Sequence, residues 1–248
     1  MAISFVKNPI RSTIQFIAHK HEPRPFSQFL DFRGTLDAAA AAGLPVCEYI
    51  ERKHCSGPPT PRAETMQRLE AVGVFDRKID RVCEIGPGAG RYLELTMARC
   101  KPEIYEIYET SDEWRSWLVR EHQAVPRQTD GRTLAETESG SVGLVQAHKL
   151  FPGLPLLVTL SYLSEMARVA RPGGWIVFDI ISESCMDAAN LKLWLDASPW
   201  EWEWAPHMIA LGYVKDLLAR FDIEFVDGFR VPLFPAVTEC LVFRRKPA

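Results

Sequence analysis

Val82-Cys83-Glu84-Ile85-Gly86-Pro87-Gly88-Ala89-Gly90-Arg91-Tyr92-Leu93-Glu94 is an apolar strand running into a glycine-rich turn that opens a helix. Glycines let the backbone come close to a ligand, and the first N–H groups of a helix offer unpaired donors to a negative group. Two further segments stand at informative distances. The stretch Ile104 to Tyr108 reads as a strand and ends in Glu109, 19 residues after Gly90, where a carboxylate can accept both hydroxyls of a ribose. Thr129-Asp130-Gly131-Arg132 follows a weak third strand near 125–128 and presents a carboxylate that can accept from an exocyclic amine. Together these describe an adenosine site laid across the carboxyl ends of adjacent strands.

From Arg81 onward, short β-branched runs alternate with amphipathic stretches, which is the pattern of βαβ units and a mainly parallel sheet. Strands are expected at 81–85, 104–109, 125–128, 142–147, 174–181, 222–229 and 238–244, with helices at 89–100, 111–122, 156–170, 187–197 and 208–220. Pro232 and Pro235 separate the last two strands without room for a crossover helix, so those strands should pair antiparallel. Residues 1–75 read instead as a helical cap or lid, with Ala38 to Ala42 stopped by Gly43, a Gly57-Pro58-Pro59-Thr60-Pro61 break, and a helix over Ala63 to Val72.

Composition narrows the function classes. With 29 Lys+Arg against 32 Asp+Glu and 47% hydrophobic residues, the chain is neither disordered in the main nor a basic nucleic-acid binder. No window approaches the roughly 18 uninterrupted apolar residues of a membrane-spanning helix. Six scattered cysteines without a C-x-x-C pair, and no secretory leader pattern, fit a reducing cytoplasm. Lys7, Arg11 and Lys20 with Ile10, Ile14 and Ile17 on one helical face leave open a transit peptide, weak peripheral membrane contact, or packing against the domain or a second subunit.

The glycine spacing separates the nucleoside cofactors. A dinucleotide fingerprint requires G-x-G-x-x-G, but the residue three after Gly88 is Arg91, and Glu84 precedes the turn. NAD is thereby disfavoured. The spelling from Glu84 through Gly86, Gly88 and Gly90, together with Glu109, Asp130-Gly131 and the segment Arg168-Val169-Ala170-Arg171-Pro172-Gly173-Gly174-Trp175-Ile176-Val177-Phe178-Asp179, resembles the class I S-adenosylmethionine-dependent methyltransferases. That resemblance covers roughly two-thirds of the chain, from residue 81 with the closing strand pair. It implies a Rossmann-like α/β domain over 76–248, with a seven-stranded mainly parallel sheet, helices on both faces and the last inserted strand antiparallel. It also implies S-adenosylmethionine as cofactor. Gly86, Gly88 and Gly90 would line its methionine portion, Glu84 would order the loop, Glu109 would hold the ribose, and Asp130 with Gly131 would face the adenine.

Methyl transfer to a hydroxyl needs positioning and a proton acceptor. His148 in Gln146-Ala147-His148-Lys149 arrives at the end of the fourth strand and is the candidate base. The Asn/Asp-Pro-Pro-Tyr/Phe sequence of nucleobase and glutamine N-methyltransferases does not occur there, which lowers amine acceptors in an sp² setting. Trp200, Trp202, Trp204 and His207 form a tryptophan-rich segment able to stack on a sugar or aromatic ring. No histidine–cysteine set has ligand spacing, so no metal is expected, although Asp179, Glu183 and His148 could converge on a divalent ion. The chain also resembles methyltransferases of bacterial polysaccharide and cell-envelope biosynthesis clusters, through the glycine segment, Val145 to Lys149 and Glu239-Cys240-Leu241-Val242-Phe243-Arg244-Arg245. That resemblance implies O-methylation of a sugar, glycan or other hydroxylated small molecule. The alternatives are a non-catalytic binding subunit on the same fold, an oligomer included, with the amphipathic N-terminal residues and the tryptophan-rich segment making the protein contacts, and an NAD-dependent oxidoreductase.

Overall fold

The computed structural model describes residues 30–54, 60–197, 207–233 and 235–247. Three helices precede the sheet: α1 (Phe32–Ala41), α2 (Val46–His54) and α3 (Pro61–Ala71). Asp31 caps α1 by accepting the Gly34 N–H at 2.6 Å, and Gly43 turns the chain away in the left-handed region. Thr60 caps α3 and Pro61 occupies its first position, so this helix begins two residues before the expected Ala63.

Seven strands follow: β1 (Arg81–Ile85), β2 (Ile104–Tyr108), β3 (Val125–Pro126), β4 (Val142–Ala147), β5 (Ala170–Ile180), β6 (Ile223–Leu233) and β7 (Ala236–Arg245). Their order across the sheet is β3-β2-β1-β4-β5-β7-β6. Strand β7 lies between β5 and β6 and runs antiparallel to both, while the other neighbours pair parallel. The antiparallel pair expected from Pro232 and Pro235 is therefore present, and β7 is inserted. Pro232 is tolerated because β6 is the edge strand, with one side free of ladder bonds. Strand β5 begins at Ala170, earlier than expected, with a register shift against β4 between Val142 and Leu144.

The helices between strands are α4 (Arg91–Cys100), α5 (Asp112–His122), α6 (Leu156–Val169), α7 (Ala188–Ala197) and α8 (Leu211–Ala219). Side chains alternate across each strand, so the sheet has two apolar faces. Val82, Ile107, Leu144 and Val177 pack with Met66 and Leu69 of α3, Leu93 of α4 and Leu118 of α5. Cys83, Val145, Ile176 and Phe178 pack with Leu163 and Met166 of α6 and Val214 and Leu218 of α8. The chain leaves β1 for β2 on one side and returns to β4 on the other, which opens a crevice at the carboxyl ends of β1 and β4.

Helices α1 and α2 pack against the turn after β1 and against α5. Ile50, Ala89 and Trp114 form a small core with Leu30, Phe32, Val46 and Tyr49 around it, and the Trp114 indole N–H donates to the Leu30 carbonyl at 2.9 Å.

Candidate functional site

Gly86, Gly88 and Gly90 all sit at positive φ (61°, 53° and 81°), where residues with a Cβ are strained. Their surroundings differ. A Cβ on Gly86 would lie 2.8 Å from Leu150 and one on Gly90 2.7 Å from Leu118, whereas one on Gly88 would meet nothing within 4 Å. The outer two glycines therefore serve packing, and Gly88 presents bare backbone to open space at the mouth of the crevice. Gly90 caps α4, so the N-terminus of that helix opens beside the turn.

Glu109, at the end of β2, is buried and faces the same turn. One carboxylate oxygen accepts the Gly88 N–H at 2.9 Å and the other accepts the Ser111 N–H at 2.8 Å. Burial pushes its pKa up, and those two backbone N–H bonds oppose the rise. Each oxygen keeps acceptor capacity, so a diol can be bound without displacing the existing bonds.

Glu84 acts beneath the turn. Its carboxylate accepts from the Tyr105 hydroxyl and, at 3.2 Å, from the Gln146 amide, joining β1 to β2 and β4. Gln146 also donates to Thr96 of α4. Complete burial pushes the Glu84 carboxyl up to about 7. The neighbouring strand ends are thus tied at one buried polar node, a part that the sequence reading reduced to loop ordering.

Helix α2 reaches the turn through Glu51. This buried carboxylate pairs with Arg91, the first residue of α4, at 2.9 Å from Nε, and with Arg62 at 3.8 Å. The Cys47 thiol donates to the Ala89 carbonyl at 3.3 Å.

Asp130 lies in the loop after β3. Its Oδ1 accepts the Arg132 and Thr133 N–H groups at 3.0 and 2.8 Å, and Gly131 takes φ 77°. Desolvation, the largest single influence on this carboxyl, pushes its pKa up, but the hydrogen bonds from Arg132 and Thr133 together outweigh it and hold the carboxyl below the usual range. The carboxylate that was expected to face adenine thus also holds its own turn. The charges of Asp130 and Glu109 both act on Tyr162, whose buried hydroxyl is pushed up to about 12, chiefly by desolvation.

His148 follows β4 and stacks on Tyr92 of α4 with ring centroids 3.9 Å apart and planes inclined by 15°. It is 8% exposed, and its Nε2 has no hydrogen-bond partner among the described residues. Burial pulls its pKa down to about 4; Asp179 opposes this, while Lys149 and Arg91 add to it. The unperturbed value near 6.5 that a solvated histidine would have does not apply here. His207 lies beside the end of β5, next to the Ile181–Met208 bridge, and burial alone lowers its pKa. Trp200, Trp202 and Trp204 lie outside the described residues, as do Lys7, Arg11, Lys20 and the isoleucines of the first segment.

No group of three or more His, Cys, Asp or Glu side chains able to hold a metal is found among the described residues. Asp179 is turned to Lys149, and Glu183 accepts the Leu211 N–H at 2.9 Å, so the two do not converge with His148. No described helix is long and apolar enough to cross a membrane.

No protein-family model matches the chain, and no curated protein matches it in sequence. Solved structures do. The N-methyltransferase NodS from Bradyrhizobium japonicum WM9, in complex with S-adenosyl-L-homocysteine, is 16% identical with a TM-score of 0.55, over 76% of this chain and 89% of that one. Magnesium protoporphyrin IX methyltransferase from Synechocystis PCC 6803, also with bound S-adenosylhomocysteine, is 14% identical with a TM-score of 0.56, over 75% and 82%. The [4+2]-cyclase SpnF is 12% identical with a TM-score of 0.55, over 75% and 82%. The strand order, the inserted antiparallel β7 and these likenesses give the chain the fold of the class I S-adenosylmethionine-dependent methyltransferases.

Proposed function

We propose that the protein binds S-adenosylmethionine and transfers its methyl group to a hydroxyl of a small acceptor, a sugar or related metabolite. The observation that carries the cofactor is the joint between Gly88 and Glu109: bare backbone facing open space, tied to a buried carboxylate with acceptor capacity left. Glu109 would take the ribose, Gly86, Gly88 and Gly90 would pass along the methionine portion, and Asp130 with Gly131 would border the adenine. The cofactor supplies an electrophilic methyl on a sulfonium, so the protein contributes position and a proton acceptor.

His148 supports the hydroxyl acceptor. It is neutral near pH 7, its buried Nε2 has no partner among the described residues and would serve as the acceptor, and the stack on Tyr92 fixes its ring plane. Asp179 and Lys149, whose charges bear on His148 with opposite sign, pair with each other at 3.4 Å. The Trp200, Trp202 and Trp204 segment with His207 would cover that acceptor. Residues 1–75 would serve as a lid over the donor side, and 76–248 as the transferase domain. Five described cysteines are unpaired, which suits a reducing cytoplasm.

Calorimetry with S-adenosylmethionine and S-adenosylhomocysteine, with NADH as the control, tests the cofactor. Heat with NADH alone would transfer the protein to the oxidoreductases. A labelled-methyl turnover assay against hydroxylated metabolites and glycans tests the acceptor. Because the same fold also carries a cyclase, donor binding without turnover on any extract would favour a binding or non-methylating role.

A further inference from the structure

We propose that Asp179 is a positioning residue for His148, acting through the backbone of Lys149. This rests on His148 being the proton acceptor of the proposed reaction, but its structural half stands apart from that reading. His148 and Lys149 are the two residues immediately after β4, and Lys149 adopts φ 58°, a left-handed conformation that a side chain with a Cβ disfavours. Something must hold the chain there. The Lys149 N–H donates to Oδ1 of Asp179, which sits one strand over on β5 at 1% exposure. The Lys149 ammonium lies 3.4 Å from Oδ2 of the same carboxylate and donates to Thr238 Oγ1 of β7 at 2.7 Å. Thr238 in turn donates to the Val231 carbonyl of β6 at 3.4 Å.

The turn bearing His148 is therefore not held by β4 alone. A single carboxylate grips both ends of Lys149, and the lysine is pinned to the inserted strand pair. With Lys149 fixed in the left-handed region, the preceding residue has little freedom, and its ring is delivered flat against Tyr92. A charge-assisted bond to a backbone N–H in a buried site is strong and directional, which suits it to this task. Among the described residues Asp179 makes no hydrogen bond or ion pair to the glycine turn or to Glu109; its partner is Lys149. Without its carboxylate the turn would relax toward ordinary φ values and carry the imidazole off the tyrosine.

Three readouts test this. The first is the position of the ring: stacking at 3.9 Å places the His148 carbon-bound protons in the Tyr92 ring current, shifting them upfield in the wild-type spectrum. Asp179→Val should abolish that shift, whereas Asp179→Asn, whose amide oxygen can still accept the Lys149 N–H, should keep it. An unchanged shift in Asp179→Val overturns the proposal, whatever the reaction is. The second is turnover at saturating donor and acceptor. Asp179→Val should lower kcat about 10²-fold, the usual cost of a displacement near 1 Å, with donor Kd unaltered, and Asp179→Asn should recover all but about tenfold. In a His148→Ala background the same change should cost less than about threefold, because its route is gone. An equal loss in both backgrounds overturns the proposal. If His148→Ala leaves turnover intact while the ring shift still depends on Asp179, the base assignment fails and the positioning stands. Since Asp179→Val strands the Lys149 ammonium and can fail to fold, the wild type supplies a reading of its own. Its Lys149 amide proton should be far downfield and protected from exchange; a fast-exchanging amide overturns the proposal.

Discussion

The Gly88 N–H donates to the Glu109 carboxylate at 2.9 Å, joining the turn after β1 to the end of β2. The residue that would hold a ribose also sets the shape of the loop beside it. Substitutions at Glu109 should therefore separate two effects. Glu109→Gln keeps an acceptor for one N–H and should weaken S-adenosylmethionine binding modestly. Glu109→Ala leaves the Gly88 and Ser111 N–H groups unpaired and should cost about 1–3 kcal/mol of donor affinity. Calorimetry reads both; equal affinity for Glu109→Ala and wild type would remove Glu109 from the donor site.

The three glycines of the turn should not respond alike. Gly86→Ala drives a methyl into Leu150 and Gly90→Ala into Leu118, so both should lower the melting temperature. Gly88→Ala carries only the left-handed backbone cost of about 1–2 kcal/mol, because its methyl enters open space. Its loss should instead appear in donor affinity, at least tenfold, as the methyl occupies the approach to the backbone. Thermal melts with and without donor distinguish the cases, and a Gly88→Ala protein that shows only this backbone loss in its melt and binds donor normally would show that the donor does not pass there.

The positions of the strands and the glycine turn were legible because their causes are local. Alternating apolar runs, Gly86 to Gly90 and the strand-ending Glu109 carry their chemistry in neighbouring residues. Pro232 and Pro235 announced the antiparallel pair in the same way. Tyr92 and Glu51 were not legible as site parts, and Asp179 was read only as a possible ligand of a divalent ion, because each acts across elements far apart in the chain: α4 on the end of β4, β5 on the turn after β4, and α2 on α4. The depressed pKa of His148 was hidden for that reason too, since burial causes it and burial is not written in its neighbours. Asp130 illustrates the converse: the side-chain type is right for an exocyclic amine, yet its Oδ1 is engaged by its own turn.

Glu84 predicts a pH dependence of stability. Burial raises its folded pKa to about 7 from an ordinary value near 4.5, so the folded protein holds a proton that the unfolded chain releases in between. That stabilisation is fully present below about pH 4.5 and is lost as pH rises through about 7, amounting to roughly 3 kcal/mol. Glu84→Gln, neutral at every pH, should flatten this part of the urea-midpoint profile between pH 5 and 8. A variant whose midpoint still falls with pH as steeply as wild type would assign the proton to another group.

His148 has the opposite sign, and the same shift sets the rate profile. Its folded pKa near 4 lies below the ordinary 6.5, so its contribution to stability is present above about pH 6.5 and is lost as pH falls through about 4, where the buried ring must take a charge. As a proton acceptor it is already neutral throughout the physiological range. Turnover should therefore be flat from about pH 6 to 8, with its acid limb near pH 4 and no inflection at 6.5. A ring of such low basicity does not deprotonate an alcohol in advance; it takes the proton as the oxygen–carbon bond forms, which demands the fixed geometry that Tyr92 provides. His148→Ala should accordingly lower kcat about 10²–10⁴-fold and leave donor affinity nearly intact. His148→Gln keeps an acceptor oxygen but cannot carry the proton away, and should be no better than alanine. Should the alanine variant retain both the rate and the acid limb, proton transfer belongs to another group, and His207, whose Nε2 is also buried without a partner among the described residues, is the next to substitute.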